Sequence, residues 1–208
     1  TAWGTFHGIR ACLEVVYGSP EVEGRTIAIQ GVGSVGYYLA SFLHERGAKL
    51  LFNDISERKL ARCMEEFGGK VLEDDEFWAA ECDVLAPCAI GGVLNSRTIP
   101  MIKAPIVAGA ANNQLALEHQ DGEALEKAGI TYAPDYVINA GGLINVYTEL
   151  QGTPREKAMQ DAANIFNTVK AVINKAKSAG ITTTDASNRL AEERIEAVAR
   201  LKRFHLPG

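Results

Sequence analysis

Between a short β-branched run at residues 26–30 and an amphipathic stretch at 34–46, the chain carries Gly31-Val32-Gly33-Ser34-Val35-Gly36. Few folds accept those three pieces in that order. A strand that enters a helix through so glycine-rich a turn opens a βαβ unit. In such a unit Gly31 makes the tight turn, Gly33 lets a pyrophosphate approach the main chain, and Gly36 lets helix and sheet pack closely. Ser34 and Val35 begin the helix, whose free N–H groups and positive dipole end favour an anion. A second apolar run, 50–52, leads to Asp54, 23 positions after Gly31. That is close to the spacing of about 20 at which a carboxylate meets the hydroxyls of an adenosine ribose. The acid repels a 2′-phosphate, which favours NAD over NADP, although Arg58 is near enough to lean over one. A plainer reading has Asp54 capping a helix that starts near Ser56.

Strand and helix signals continue to alternate. Apolar positions Phe6, Ile9, Leu13 and Val16 recur at helical spacing over 3–17, with Gly18 as a stop. After the glycine turn come a polar helix at 57–67, a short strand near Val71, strands at 83–86 and 106–108, a helix at 117–128 and a strand at 130–133. Short buried strands separated by helices predict a parallel sheet covered on both faces. Beyond Asp135 the periods are helical only, with a helix at 135–149 and another at 156–175. Ala158, Ala162, Ile165, Val169, Val172 and Ala176 form one stripe. Leu190, Ile195, Val198 and Leu201 form a second after a polar turn at 182–185. The expected architecture is therefore α/β, a Rossmann-type doubly wound parallel sheet with additional C-terminal helices, over 1–208 as one domain.

Charge and cysteine content remove several function classes. With 21 basic and 26 acidic residues, a net charge of −5 and no long single-sign block, neither nucleic acid nor an anionic membrane is an expected partner. Cys12, Cys63, Cys82 and Cys88 form no C-x-x-C pair, and His7, His44, His119 and His205 stand apart, so no metal site is expected. A reducing, cytoplasmic setting fits best. His7 and His44 read as surface or capping groups, Cys88 as a small buried filler, and Phe6, Phe42 and Phe166 as core. The chain begins at Thr1 without an initiator Met, which reads as a piece of something longer.

Three further segments fall where strands of an open parallel sheet end, the edge at which such sheets bind ligands. They are Ala86-Pro87-Cys88-Ala89, Gly109-Ala110-Ala111-Asn112-Asn113-Gln114 and Asn139-Ala140-Gly141-Gly142. Small residues there admit a flat ring, and the amides of Asn112, Asn113 and Asn139 can donate to and accept from hydroxyl and carboxamide groups. Each segment is equally well read as a stabilised turn.

Together with Thr1-Ala2-Trp3-Gly4, Asn53-Asp54-Ile55, Tyr132-Ala133-Pro134-Asp135-Tyr136-Val137-Ile138 and Leu190-Ala191-Glu192-Glu193-Arg194-Ile195, these segments resemble the cofactor domain of the Glu/Leu/Phe/Val amino-acid dehydrogenases. The likeness spans nearly the whole chain and is greatest to the leucine and phenylalanine branch, with tryptophan also open as substrate. It departs from the leucine pattern at Asn112, where Asp is usual, and at Trp3. The resemblance implies reversible oxidative deamination of an aliphatic or aromatic L-amino acid to a 2-oxo acid, ammonium and NADH. It also implies that Thr1 holds the nicotinamide carboxamide and Asp54 the ribose. Cys88, Ala89, Ala111 and Asn112 would line the nicotinamide, and Asn139 would stand where ring and substrate meet. It further implies a homo-oligomer, and an upstream substrate domain supplying the catalytic lysines and aspartate.

The chain has no counterpart of that region. Lys49, Lys59, Lys70 and Lys103 read as solvated surface charges. Residues 1–208 are thus expected to be the NAD-binding half of a two-domain enzyme, inactive alone. The alternative is an NAD(H)-sensing module without catalysis. Another dehydrogenase class, acting on a 2-hydroxy acid, would call for a His–carboxylate pair that the sequence lacks.

Overall fold

The computed structural model describes residues 1–152 and 154–203. Helix α1 (Ala2–Tyr17) precedes a sheet whose strands are β1 (Thr26–Gln30), β2 (Lys49–Asn53), β3 (Lys70–Val71), β4 (Val84–Pro87), β5 (Ile106–Val107) and β6 (Thr131–Tyr132). The spatial order is β3-β2-β1-β4-β5-β6, and all five pairings are parallel. The connections carry α2 (Ser34–His44), α3 (Glu57–Phe67), α4 (Asp74–Trp78), a 3₁₀ turn (Ile99–Met101) and α5 (Glu118–Lys127). Helices α6 (Asp135–Ile138), α7 (Gly141–Leu150), α8 (Arg155–Ala163), α9 (Ile165–Ala179) and α10 (Thr183–Arg203) follow. The doubly wound parallel sheet with C-terminal helices is as the sequence predicts.

Period-two alternation divides the strands between two cores. Ile27, Ile29, Phe52, Val84, Ala86 and Ile106 face one way and pack with α1, α2, α3 and α9. Ala28, Leu85 and Val107 face the other way, against Phe77 and Trp78 of α4, Ile99 and Leu125. Burial on both faces explains why the strands read as continuous apolar runs. Helix α1 stops where expected, at Gly18 in the left-handed region (φ 77°), whose N–H returns to the Glu14 carbonyl. No described helix is long and apolar enough to cross a membrane.

Several boundaries differ from the sequence reading, each for a physical reason. The strand expected at 83–86 begins one residue later, because the Asp83 carboxylate accepts from Thr26 N–H at 2.8 Å and pairs with Arg25 at 3.0 Å. The helix expected at 135–149 is broken at Asn139–Ala140 into α6 and α7, and the one at 156–175 is broken at Asn164 into α8 and α9. The polar turn at 182–185 is instead the start of α10, since Thr182 Oγ1 accepts from Asp185 N–H at 3.1 Å. Of the second stripe, Leu190 packs against its neighbours but Ile195 is 69% exposed. The side chains of Val198 and Leu201, and all of His205, lie outside the described residues. Helix α4 and the 3₁₀ turn were not anticipated.

His7 is not the surface group that helical periodicity suggested. It sits edge-on to Trp3 and Phe6, its Nε2 is buried without a partner, and burial, aided by Arg10 and Arg46, pushes its pKa down to about 4. Phe6 is fully buried, with Phe42 and Phe166 packed on the same core.

Close approach of α1 to its neighbours rests on two glycines one turn apart. A Cβ at Gly4 would stand 2.5 Å from Ile165 Cδ1, and one at Gly8 would stand 2.3 Å from Ile138 Cγ1. Gly8→Ala therefore opposes a gain in helix propensity of about 1 kcal/mol with an overpacking cost of about 1–3 kcal/mol. A net loss of up to about 2 kcal/mol is expected from the urea-unfolding midpoint, and a raised midpoint would contradict this packing.

Candidate functional site

The C-terminal ends of all six strands share one edge, and the winding reverses between β1 and β4. At that switch point the loops after the two strands touch. Gly31 has φ 84°, donates its N–H to the Asn53 carbonyl at 2.7 Å, and leaves no room for a side chain, since a Cβ would lie 2.6–2.8 Å from Ala89. Gly36 is tighter still: its Cβ would lie 1.9 Å from the Gly31 carbonyl oxygen. Those two glycines are structural necessities. Gly33 is not, because nothing lies within 4 Å of its would-be Cβ and its φ of −67° suits any residue. The space beside it is open, so the main chain there could be approached by an anion. Helix α2 starts there with no side-chain cap, so the first-turn N–H groups of Ser34, Val35 and Gly36 lack intrahelical acceptors. Ser34 is exposed and Val35 half-buried.

Asp54 lies at the end of β2 beside this turn, as the spacing predicted. Its Oδ2 accepts from Val32 N–H and its Oδ1 from Ser56 N–H, both at 2.8 Å. The carboxylate thus ties the glycine turn to the start of α3. Each oxygen keeps a further lone pair for a ribose hydroxyl. Asp54 serves the helix start through an Asx-type bond from Ser56 N–H, as the plainer reading of it expects. A groove of about 530 Å³ runs from Gly33 and Ser34 past Tyr37 and Tyr38 of α2 to Arg58, Lys59 and Arg62 of α3.

On the other side of the switch point the structure brings together the remaining predicted residues. Asn139 Nδ2 donates to Asn112 Oδ1 at 2.6 Å and to the Ala110 carbonyl at 3.3 Å. Thr1 lies against Gly141 and Gly142, with its Oγ1 2.7 Å from where a Gly142 Cβ would be. Ala111 N–H donates to the Pro87 carbonyl at 3.0 Å, and Cys88 N–H to the Gln30 carbonyl at 2.7 Å, which ties these loops to the sheet edge. Ala89 is exposed. Cys88 is half-buried, and desolvation pushes its thiol up to about 12, which makes it a poor nucleophile and a fair small wall.

Two supports were not assigned a role from sequence. Gln114 is fully buried, and its Nε2 donates to the carbonyls of Gly109 and Ala111 at 2.9 and 3.0 Å. Asp135 accepts from Gln114 N–H at 3.1 Å and from Tyr136 N–H at 2.7 Å, joining the β5 loop to the β6 loop. Also missed were Ile55, fully exposed just after Asp54, and Ile90, 70% exposed just after Ala89. Apolar side chains left bare beside a polar edge were the available signal.

Lys49, Lys59, Lys70 and Lys103 are all exposed, and Lys70 and Lys103 pair with Glu76 and Glu81 at 2.7 and 3.4 Å. Among the described residues no group of three or more potential metal ligands occurs, and all four cysteines are free. A second hollow, about 210 Å³ between α5 and α9, opens around Ile130 and Thr131, where β6 begins. It is at the opposite end of the sheet.

The family model for glutamate/leucine/phenylalanine/valine dehydrogenases matches residues 1–54 and 52–203. The chain is similar to leucine dehydrogenase of Geobacillus stearothermophilus, with 46% identity over 97% of this chain and 55% of the relative. It is also similar to phenylalanine dehydrogenase of Bacillus thermotolerans, with 40% identity over 99% of this chain and 55% of the relative. The crystal structure of L-tryptophan dehydrogenase from Nostoc punctiforme superposes with a TM-score of 0.92 at 46% identity, over 94% of this chain and 59% of that one. The chain thus spans about half the length of the curated relatives it matches.

The unequal demands on the three glycines give a direct test. Gly33→Ala should leave stability within about 0.5 kcal/mol while weakening NADH binding at least about tenfold. Gly36→Ala should lower stability by about 2 kcal/mol or more, because the added methyl meets backbone. Thermal melts and fluorescence titration of both variants check this, and undiminished NADH affinity in Gly33→Ala would remove the phosphate cradle.

Proposed function

This chain belongs to the glutamate/leucine/phenylalanine/valine dehydrogenase family, and on that premise we propose that it is the dinucleotide-binding half of an NAD-dependent L-amino-acid dehydrogenase. The reaction converts an aliphatic or aromatic L-amino acid, water and NAD to the 2-oxo acid, ammonium, NADH and a proton, and runs in both directions. The observation that carries the reading is the open main-chain cradle at Gly33, flanked by Asp54 on one side and by the Asn139–Asn112 pair on the other.

Bound along this edge, the nicotinamide dinucleotide supplies the hydride acceptor. The N–H groups of Ser34, Val35 and Gly36 hold the diphosphate, and the Asp54 oxygens accept from the ribose hydroxyls. Ile55 and Ile90 flank the adenine, which needs apolar surface on each face. Thr1 and Asn139 hold the carboxamide, with Asn112 fixing the Asn139 amide by its 2.6 Å bond. Cys88, Ala89 and Ala111 wall the nicotinamide without offering a competing nucleophile. Gly141 and Gly142 let Thr1 pack closely against the start of α7. The part of the protein beyond these residues supplies the lysines and the carboxylate for proton transfer, and closure of the two parts excludes water. A reducing cytoplasmic location and a homo-oligomeric state complete the proposal.

Two outcomes test it. Asp54→Ala removes charge-assisted hydrogen bonds worth about 1.5–3 kcal/mol, so the NADH dissociation constant should rise about tenfold or more, and an unchanged constant in a folded variant would defeat the ribose assignment. With NAD and a panel of leucine, valine, phenylalanine and tryptophan, the 208-residue chain should bind NADH yet form none, whereas the full-length parent should form it. Turnover by the chain alone would refute the division of labour.

A further inference from the structure

Where the β5 and β6 loops meet the start of α10, a hollow of about 100 Å³ is walled by Asn113, Glu118, Tyr132, Asp135, Tyr136 and Thr184. Its lining brings two carboxylates, two phenols and a hydroxyl, and no lysine, arginine or histidine. Thr184 is 5% exposed, and its Oγ1 is buried with no hydrogen-bond partner. That oxygen faces α5, since it lies 3.8 Å from where a Cβ at Gly122 would be. Gly122 is one helical turn from Glu118, so the same face of α5 presents both the carboxylate and the gap. A buried hydroxyl left unpaired costs free energy, which makes this a place where a partner is expected.

The charges around the hollow are of one sign. Burial raises the pKa of the Tyr136 phenol, and the charged groups that add to it are Glu118, Asp135 and Asp185, with no cation opposing them. Neither Glu118 nor Asp135 has a cationic partner among the described residues. Acids at helix starts are ordinary, because the first turn carries about half a positive charge. Here the starts of α5 and α10 offset about one of those three carboxylates, which leaves the hollow negative. We propose that it seats one monovalent cation, potassium or ammonium, held by Glu118 and the Thr184 hydroxyl oxygen, with Asp135 supplying further charge. Both Asp135 oxygens already accept N–H bonds, from Gln114 and Tyr136, and keep only their remaining lone pairs for the ion. The donor set decides the valence. No group of three or more carboxylate, imidazole or thiol ligands occurs among the described residues, whereas hydroxyl and carbonyl oxygens replace the water shell of a potassium-sized ion. A water takes about 30 Å³, so the space admits a bare ion with a water or two and not an amino acid. The ion ties α5, α6 and α10 together beneath the loops that carry Asn112 and Asn139, and its binding does not depend on that of a dinucleotide.

The test is thermal melting of the chain in the chlorides of potassium, ammonium, magnesium and N-methylglucamine at one ionic strength, the last cation being too large to enter. Potassium, ammonium or both should raise Tm by about 2–4 °C over N-methylglucamine, and the rise should saturate with concentration. Whichever of the two acts is the occupant. Thr184→Val keeps the shape and removes the oxygen, and Glu118→Gln removes the charge from an exposed residue, so that the second variant serves even where the first does not fold. Each should lose at least half of the rise. Equal melting in all the salts means that the hollow holds water only and overturns the proposal, as does a full rise retained by either folded variant. A rise with magnesium alone overturns the monovalent assignment.

Discussion

A methyl group at Gly36 would sit inside the carbonyl oxygen of Gly31, and one at Gly31 would sit against the backbone of Ala89. The C-terminal edge of the sheet depends on the close contact these absences permit. With the β1 turn pressed against the loop after β4, the N-terminus of α2 opens directly over the switch point of the sheet. Asp54 then fixes the turn from the other side through the Val32 and Ser56 amides. Because the contact is between backbones, neither loop can relax away from the other without breaking strand pairing at Gln30 and Pro87. The cradle is therefore held open by the fold itself, before any ligand arrives, which is the condition under which preorganised N–H groups bind an anion most strongly.

The edge has two halves of different character. Toward β2 it is electrostatic and exposed, with a carboxylate satisfied by backbone donors and a wall of cations. Toward β5 and β6 it is built from amides and small residues, and its order comes from beneath. Gln114, with no exposed surface, holds the carbonyls of Gly109 and Ala111, and Asp135 links that loop to the next. Gln114 spends its amide nitrogen on those two carbonyls and leaves its buried Oε1 without a partner, so these bonds define one arrangement of the loops above them. Asn139 and Asn112 project from that platform. The structure thus joins a charged, exposed half of the edge to a shaped, neutral one.

Most of the architecture was legible because strand, turn and helix signals each point the same way. The run at 26–30 alternates between two buried faces, Gly18 stops α1, and the glycine turn admits only one kind of connection. Asp54 was legible from its spacing alone. The rest depended on partners distant in sequence. The break at Asn139–Ala140 was half legible, since Asn139-Ala140-Gly141-Gly142 also reads as a turn, while the bond from Asn139 to Asn112, 27 positions away, was not. His7 fell on a helix face that looked exposed until Trp3 closed over it. Gln114 was visible as a residue of a turn and Asp135 as the start of a helix, but their service to neighbouring loops is a property of three dimensions. Arg58 and Lys59 are adjacent in sequence and would ordinarily point apart; the groove shows both on one wall.

Two-dimensional ¹H–¹⁵N NMR of the chain titrated with NADH tests the central claim most directly, because it reports on individual main-chain N–H groups. The account predicts saturable shifts of the Gly33, Ser34, Val35 and Gly36 amides, together with the Asn139 side-chain amide at the far end of the edge. Shifts that leave the start of α2 undisturbed, or that cluster instead around the hollow between α5 and α9, would contradict it.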